Sequence, residues 1–109
     1  MRIVLDENLP RVLTKPFVPP HQAVTTQQLG FAGWKNGELL AQLEGTYDVL
    51  LTSDKNLRYQ QNLADRSLAI VELPTNRLRT LQTMTAEIIA AALAATPGSY
   101  TQIDWPSSP

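Results

Sequence analysis

The feature that most constrains the fold of this chain is the regular alternation of short apolar runs with longer segments of helical spacing. Residues 2–5 form a short, continuous, β-branched run, which is typical of a strand buried on both faces. Strands that alternate with helices predict a parallel sheet covered by helices on both sides. Besides 2–5, the predicted strands are 21–25, 48–52, 68–73 and a last edge strand at 100–103.

The segments between these strands predict helices. Leu39, Leu40 and Leu43 share one face of a helix for which Asn36 is a good N-cap. Asn8 is expected to cap the helix that follows it, over residues 9–15. The predicted helices are 9–15, 37–44, a polar helix from 53 or 54 to 61, and the longest one, 77–95.

Length and composition suit one domain. We expect a single-domain, three-layer α/β/α fold with a mainly parallel sheet of four or five strands, formed by residues 1–98 of the 109 and followed by a C-terminal edge strand or tail at 99–109. There are no cysteines, which excludes disulfides and thiolate metal sites. No apolar stretch approaches the roughly 20 residues needed to cross a bilayer, and the first residues lack a signal-peptide pattern. We therefore expect a cytoplasmic protein without membrane contact.

Three acidic residues stand at or near the ends of predicted elements. Asp6 ends the first strand, Asp54 follows the third, and Glu38 opens a helix. The carboxyl ends of neighbouring parallel strands share one edge of the sheet, where open α/β sheets bind ligands. Clustered carboxylates repel one another and need a cation or protons, and hard cations such as Mg²⁺ or Mn²⁺ prefer oxygen ligands. The pattern predicts a metal site at Asp6, Glu38 and Asp54.

Each acid also has an ordinary structural explanation. Asp6 and Asp54 both precede predicted helices, where carboxylates accept hydrogen bonds from free backbone N–H groups. Glu38 lies in the first turn of its helix, where a negative charge is already favourable. Asp6 is less well explained by capping, because it is the last residue of its strand and could point into the crevice. Taken singly, each acid has an ordinary explanation, whereas a joint metal site accounts for all three.

The segment after Asp54 is polar and carries two bases and a tyrosine. Lys55 and Arg58 are candidates to hold phosphates, and Tyr59 is a candidate to stack on a base; the alternative is a solvated helix face. The net charge of −1 gives no support for a high-affinity, non-specific nucleic-acid binder. It does not exclude an enzyme with a local basic patch. Phe31 and Trp34 are expected to be packing or interface residues rather than base-stacking platforms.

Three segments together resemble a known family, the short PIN-like proteins, which are related to the PIN-domain toxins of prokaryotic toxin–antitoxin pairs. The segments are Ile-Val-Leu-Asp-Glu-Asn-Leu-Pro at 3–10, Gly-Glu-Leu-Leu at 37–40, and Asp-Val-Leu-Leu-Thr-Ser-Asp-Lys-Asn-Leu at 48–57. The resemblance covers residues 1 to about 94. It implies a Mg²⁺- or Mn²⁺-dependent ribonuclease with Asp6, Glu38 and Asp54 as catalytic and metal-binding residues. It also suggests an RNA substrate, an antitoxin partner and a homodimer.

Two positions depart from the pattern of the wider group. Asn36 and Asn56 stand where many members have additional acids. Both are possible oxygen ligands, and Asn56 is included among the predicted metal ligands, but neither brings charge. Fewer charges weaken metal binding. The alternative is therefore a weak or inactive PIN-like scaffold that binds a protein or RNA partner. A receiver-like phosphoacceptor at Asp54 is a third hypothesis, although neither the strand ending at Leu73 nor a later one supplies the expected hydroxyl and lysine.

Overall fold

A sheet of five parallel strands forms the centre of the molecule in the computed structural model, which describes residues 1–59 and 65–105. The strand order is β2-β1-β3-β4-β5, one of the two common orders of doubly wound α/β sheets. After β2 the chain crosses back over β1, so β1 and β3 are neighbours at the point where the direction of winding reverses. The strands are β1 (Arg2–Leu5), β2 (Gln22–Thr25), β3 (Val49–Thr52), β4 (Ala69–Glu72) and β5 (Tyr100–Gln102).

Helices cover both faces of this sheet. The α-helices are α1 (Asn36–Leu43), α2 (Leu78–Thr83) and α3 (Thr85–Ala94), and the 3₁₀ helices are η1 (Arg11–Thr14) and η2 (Lys55–Tyr59). The predicted α/β fold with a parallel sheet is confirmed, and the last predicted strand forms the β5 edge. The predicted end of the polar helix at residue 61 lies outside the described residues.

Alternate residues of the strands pack into two separate apolar layers. Ile3 and Leu5 of β1 face η1, α2 and α3, whereas Val4 faces α1 and η2. The neighbouring strands repeat this division, with Leu51 in the first layer and Leu50 in the second. Each fully buried aliphatic side chain contributes about 1.5–3 kcal/mol. Burial on both faces explains why the strands are continuously apolar instead of alternating.

The predicted helix over 77–95 is wrong in one respect, because it is broken into α2 and α3 at Met84, where the backbone has φ −107° and ψ 8°. Threonines flank the break. The Thr83 hydroxyl donates to the Thr80 carbonyl at 2.6 Å, and the Thr85 hydroxyl donates to the Gln82 carbonyl at 3.0 Å. Such side-chain bonds compete with helical backbone bonds. Met84 itself is fully buried, so the break turns an apolar side chain into the core.

Two capping predictions are also wrong. Helix α1 begins with Asn36, so Lys35 occupies its N-cap position and makes no side-chain cap bond, while the Asn36 amide donates to Asp54. Asn8 does not cap η1, whose N-cap position is Pro10. No helix among residues 1–59 and 65–105 is long and apolar enough to span a membrane.

Candidate functional site

A row of buried polar side chains crosses four strands at the carboxyl edge of the sheet. The strand register pairs Leu5 with both Thr25 and Leu51, and Thr52 with Glu72. One residue further along, Thr26, Asp6, Thr52 and Glu72 follow one another across β2, β1, β3 and β4. They continue the face that α1 covers, and all four are at least nine-tenths buried.

Asp6 and Asp54 both lie at the carboxyl ends of β1 and β3, the region that we call the crevice, and are joined through Thr52. The Thr52 hydroxyl donates to Asp6 Oδ2 at 2.8 Å, and it accepts the backbone N–H of Asp54 at 3.0 Å. The other oxygen of Asp6 accepts the Glu7 N–H at 2.8 Å. The two acids therefore meet at the β1/β3 switch point, where doubly wound sheets bind ligands.

Helix α1 contributes Asn36 to this crevice. The Asn36 amide donates to Asp54 Oδ2 at 3.1 Å, while Asp54 Oδ1 accepts the Asn56 N–H at 2.9 Å. Asn36 stands four and seven residues before Leu40 and Leu43, so it shares their buried helix face. Glu38 is turned to the opposite face and is exposed.

Burial controls the electrostatics of the first aspartate. Removal from water raises the pKa of Asp6, and the nearby carboxylates of Asp54 and Glu7 raise it further. The hydrogen bonds from Thr52 and from the Glu7 backbone oppose this effect by stabilising the ionised form. Asp6 is therefore a carboxylate that gains from a neighbouring cation.

The two carboxylates offer oxygen ligands, which fits a hard divalent cation. Asn36 presents its amide NH₂ to Asp54, and Asn56 contacts Asp54 through its backbone N–H, with its own side chain exposed. Asn8 Oδ1 is buried and has no hydrogen-bond partner among the described residues. Within residues 1–59 and 65–105, no three Asp, Glu, His or Cys side chains form a group able to hold a metal ion. Charge for a cation would come from the two aspartates.

The residues predicted to bind substrate all lie on η2, but their surroundings differ. Lys55 is exposed, and Tyr59 is 75% exposed. Arg58 instead forms a two-point ion pair with buried Glu72, with nitrogen–oxygen distances of 2.6 and 3.2 Å. Tyr100 donates to the same carboxylate at 2.6 Å. The Arg58 guanidinium therefore compensates the buried charge of Glu72 and is not a free cation.

Three polar residues that organise this edge were not predicted from the sequence, although the sequence carries signals for two of them. Glu72 is a lone carboxylate in an apolar strand, and a buried carboxylate requires a compensating cation or hydrogen-bond donors. Thr52 is a polar residue at the end of a buried apolar run. Tyr100 carries no such signal, because its role depends on β5 pairing with β4.

Comparison with known proteins adds no relative. No protein-family model matches the chain, and neither a curated protein nor a solved structure gives a significant match. The fold and the site therefore define the protein by class alone: a doubly wound α/β protein with two aspartates at its switch point.

Proposed function

We propose that the protein is a Mg²⁺- or Mn²⁺-dependent ribonuclease of the PIN-like type, with Asp6 and Asp54 as its metal-binding acids. The observation that carries the proposal is the Thr52 hydroxyl, which donates to the Asp6 carboxylate and accepts the backbone N–H of Asp54. Two carboxylates from separate strands, close together and partly desolvated, suit capture of a hard cation. The sequence resemblance to PIN-like proteins supports the same activity.

The residues of the chain hold and orient the two acids. Thr52 and the Glu7 backbone fix both oxygens of Asp6, and Asn36 and the Asn56 backbone fix both oxygens of Asp54. Held by Asp6 and Asp54, a hard cation would supply a water of lowered pKa and would neutralise charge on the phosphodiester. Fixed carboxylates require little reorganisation when charge develops.

Lys55 supplies exposed positive charge directly after Asp54, where it is able to attract phosphate. Glu38 stays a prediction as a catalytic residue, since it is exposed and is not part of the described hydrogen-bond network. Asn36 is the residue of α1 that reaches the crevice.

The test is cleavage of a fluorophore-quencher RNA in Mg²⁺ or Mn²⁺. We expect Asp6→Asn and Asp54→Asn each to reduce the rate more than about 100-fold, because disturbing even the outer partners of a metal site costs about 10–100-fold. Asp104→Asn, at an exposed position, is the matched control and keeps full activity. Circular dichroism verifies that all variants fold. Cleavage that persists in both site variants contradicts the proposal.

The second candidate is a PIN-like scaffold that binds a protein or RNA partner without turnover. Two observations favour it: Glu38 is exposed, and the crevice position on α1 is an uncharged asparagine. Wild-type protein that neither cleaves RNA nor gains thermal stability in millimolar Mn²⁺ supports this candidate over the nuclease.

A toxin role is tested in cells rather than with purified protein. If the ribonuclease acts as the toxin of a toxin–antitoxin pair, induced expression arrests growth, and Asp6→Asn abolishes the arrest. Arrest that is independent of Asp6 argues against this role. The antitoxin partner and the homodimer stay predictions from the resemblance.

A further inference from the structure

The loop between β2 and α1 is hydrogen-bonded to Glu7, the residue next to Asp6 in the chain. The Glu7 carboxylate accepts the Gly33 N–H at 3.0 Å, and the Glu7 carbonyl accepts the Gln27 side-chain amide at 3.1 Å. Within the loop, the Phe31 N–H donates to the Thr26 carbonyl at 2.9 Å. Because Glu7 directly follows Asp6, these bonds tie the loop to the site.

This loop presents a supported aromatic ring to solvent. Trp34 is 38% exposed, and its ring centroid lies 4.6 Å from that of Phe31. Phe31 in turn packs against the apolar layer beneath α1. An exposed tryptophan is ordinary by itself. Here, however, its ring is backed by a second ring that is anchored in the core.

The position of Trp34 relative to the acids is the second observation. Trp34 is two residues before Asn36, which contacts Asp54, so the Cα atoms of Trp34 and Asn36 lie at most about 7.6 Å apart. Exposed Lys35 stands between them. Exposed Lys55 directly follows Asp54 at the start of η2, so each of the two hydrogen-bonded residues, Asn36 and Asp54, has an exposed lysine as its neighbour in the chain.

We infer that Trp34 is a stacking platform for an unpaired nucleobase of a strand bound at the Asp6–Asp54 site. The inference rests on the proposed function for the strand, but not on its cleavage. A pre-positioned ring offers a large flat contact at low entropic cost, and the lysines complement the phosphates on either side of the base. A stacked base contributes about 5- to 150-fold in affinity and tolerates different sequences.

Phe31 and Trp34 were both expected from the sequence to be packing or interface residues rather than base-stacking platforms. Phe31 is half-buried against the core. Trp34 packs on Phe31 but leaves more than a third of its surface exposed. The stacking role proposed for Trp34 departs from the expectation for this residue alone.

Tryptophan fluorescence tests the inference directly, because the chain has two tryptophans, Trp34 and Trp105. In the Trp105→Phe/Asp6→Asn variant, Trp34 is the sole tryptophan and cleavage is suppressed. We expect a short single-stranded RNA to quench its emission on binding. An abasic strand of the same length is expected to bind with little quenching. Equal quenching by both strands, or none by either, overturns the inference.

Affinity and kinetics provide the second arm. Trp34→Leu is expected to weaken RNA binding by about 5- to 150-fold, and Trp34→Phe to weaken it less. In an active protein the loss appears as a raised KM with unchanged kcat. Trp105→Leu, at a residue 56% exposed, is the matched control and leaves binding unchanged. RNA affinity that is the same in Trp34→Leu and wild type overturns the inference.

The two proposals fail independently. Quenching by RNA without any metal-dependent cleavage by wild-type protein supports the stacking role and refutes the nuclease. Metal-dependent cleavage without quenching supports the nuclease and refutes the role of Trp34.

Discussion

Thr52 donates its hydroxyl proton to Asp6 at 2.8 Å, and both side chains are buried at the carboxyl edge of adjacent strands. The same oxygen accepts the backbone N–H of Asp54. One hydroxyl therefore satisfies an acid and an amide from two separate segments. If this hydroxyl organises the site, its removal lowers the free energy of unfolding, whereas the same substitution at another threonine of this edge does not.

Thr52→Val is expected to destabilise the protein by about 1–3 kcal/mol, because it leaves a buried carboxylate short of a donor and a backbone N–H without its acceptor. Thr26→Val is the matched control, since Thr26 is equally buried but its hydroxyl has no partner among the described residues. The control is expected to be neutral or stabilising. Urea unfolding measures both, and equal losses in the two variants refute the role of Thr52.

The free energy of unfolding of Asp6→Asn, relative to that of wild type, is expected to increase as pH rises in metal-free buffer. Burial raises the pKa of Asp6 in the folded state, so the folded protein binds this proton more tightly than the unfolded chain. Stability then falls as pH increases from the unfolded pKa, about 3.9, through the raised folded pKa. Asparagine cannot ionise and escapes this loss.

Thermal unfolding in EDTA from pH 4 to 8 measures this difference. The midpoint of Asp6→Asn relative to wild type should rise with pH and then level off, and each unit of raised pKa corresponds to about 1.4 kcal/mol. Asp104→Asn, at an exposed residue, gives the control curve. A difference that does not change with pH, or that falls, contradicts the account of Asp6.

Arg58→Met is expected to destabilise the fold markedly, because it leaves the carboxylate of Glu72 buried without its cation. The double variant Arg58→Met/Glu72→Gln should lose less stability than the single variants summed, since the uncompensated charge is gone. A double-mutant cycle in urea measures this coupling. Arg79→Met, at an exposed residue of α2, is the control. Additive losses argue against the ion pair.

Gly98→Ala is expected to disturb the approach to β5. Gly98 has φ +77°, and an added Cβ would lie 2.5 Å from the backbone carbonyl oxygen of Arg66. Gly45→Ala is the control, because Gly45 has φ +80° with nothing within 4 Å of the added carbon. The control costs about 1–2 kcal/mol from backbone strain alone, and Gly98→Ala costs more. Equal costs contradict the close approach that places β5.

The strands and the meeting of Asp6 with Asp54 could be predicted from sequence because both depend on local pattern and a general rule. Apolar runs of four to six residues specify buried strands, and the carboxyl ends of parallel strands share one edge. The break at Met84 could not be predicted in the same way. Helical spacing continues through it, and the competing bonds of Thr83 and Thr85 depend on side-chain conformation.

Helix α1 shows which residue the apolar pattern of a helix places at the site. Glu38 is the acidic residue at the start of that helix and was therefore predicted to join the site. The direction of a helical side chain, however, is set by its position relative to the buried face of the helix. Leu40 and Leu43 set the buried face, and Asn36 shares it at spacings of four and seven residues. The helical wheel indicates Asn36, whereas residue chemistry alone indicates Glu38.

The most direct measurement of the central claim is a crystal soaked in Mn²⁺ and recorded for anomalous scattering. The account predicts a peak within about 2.0–2.6 Å of a carboxylate oxygen of Asp6 or Asp54, the range of bonds between hard cations and oxygen. The peak should be absent in crystals of Asp6→Asn/Asp54→Asn. A wild-type crystal in millimolar Mn²⁺ with no peak in this crevice, or with its only peak elsewhere, contradicts the claim that the two aspartates form a metal site.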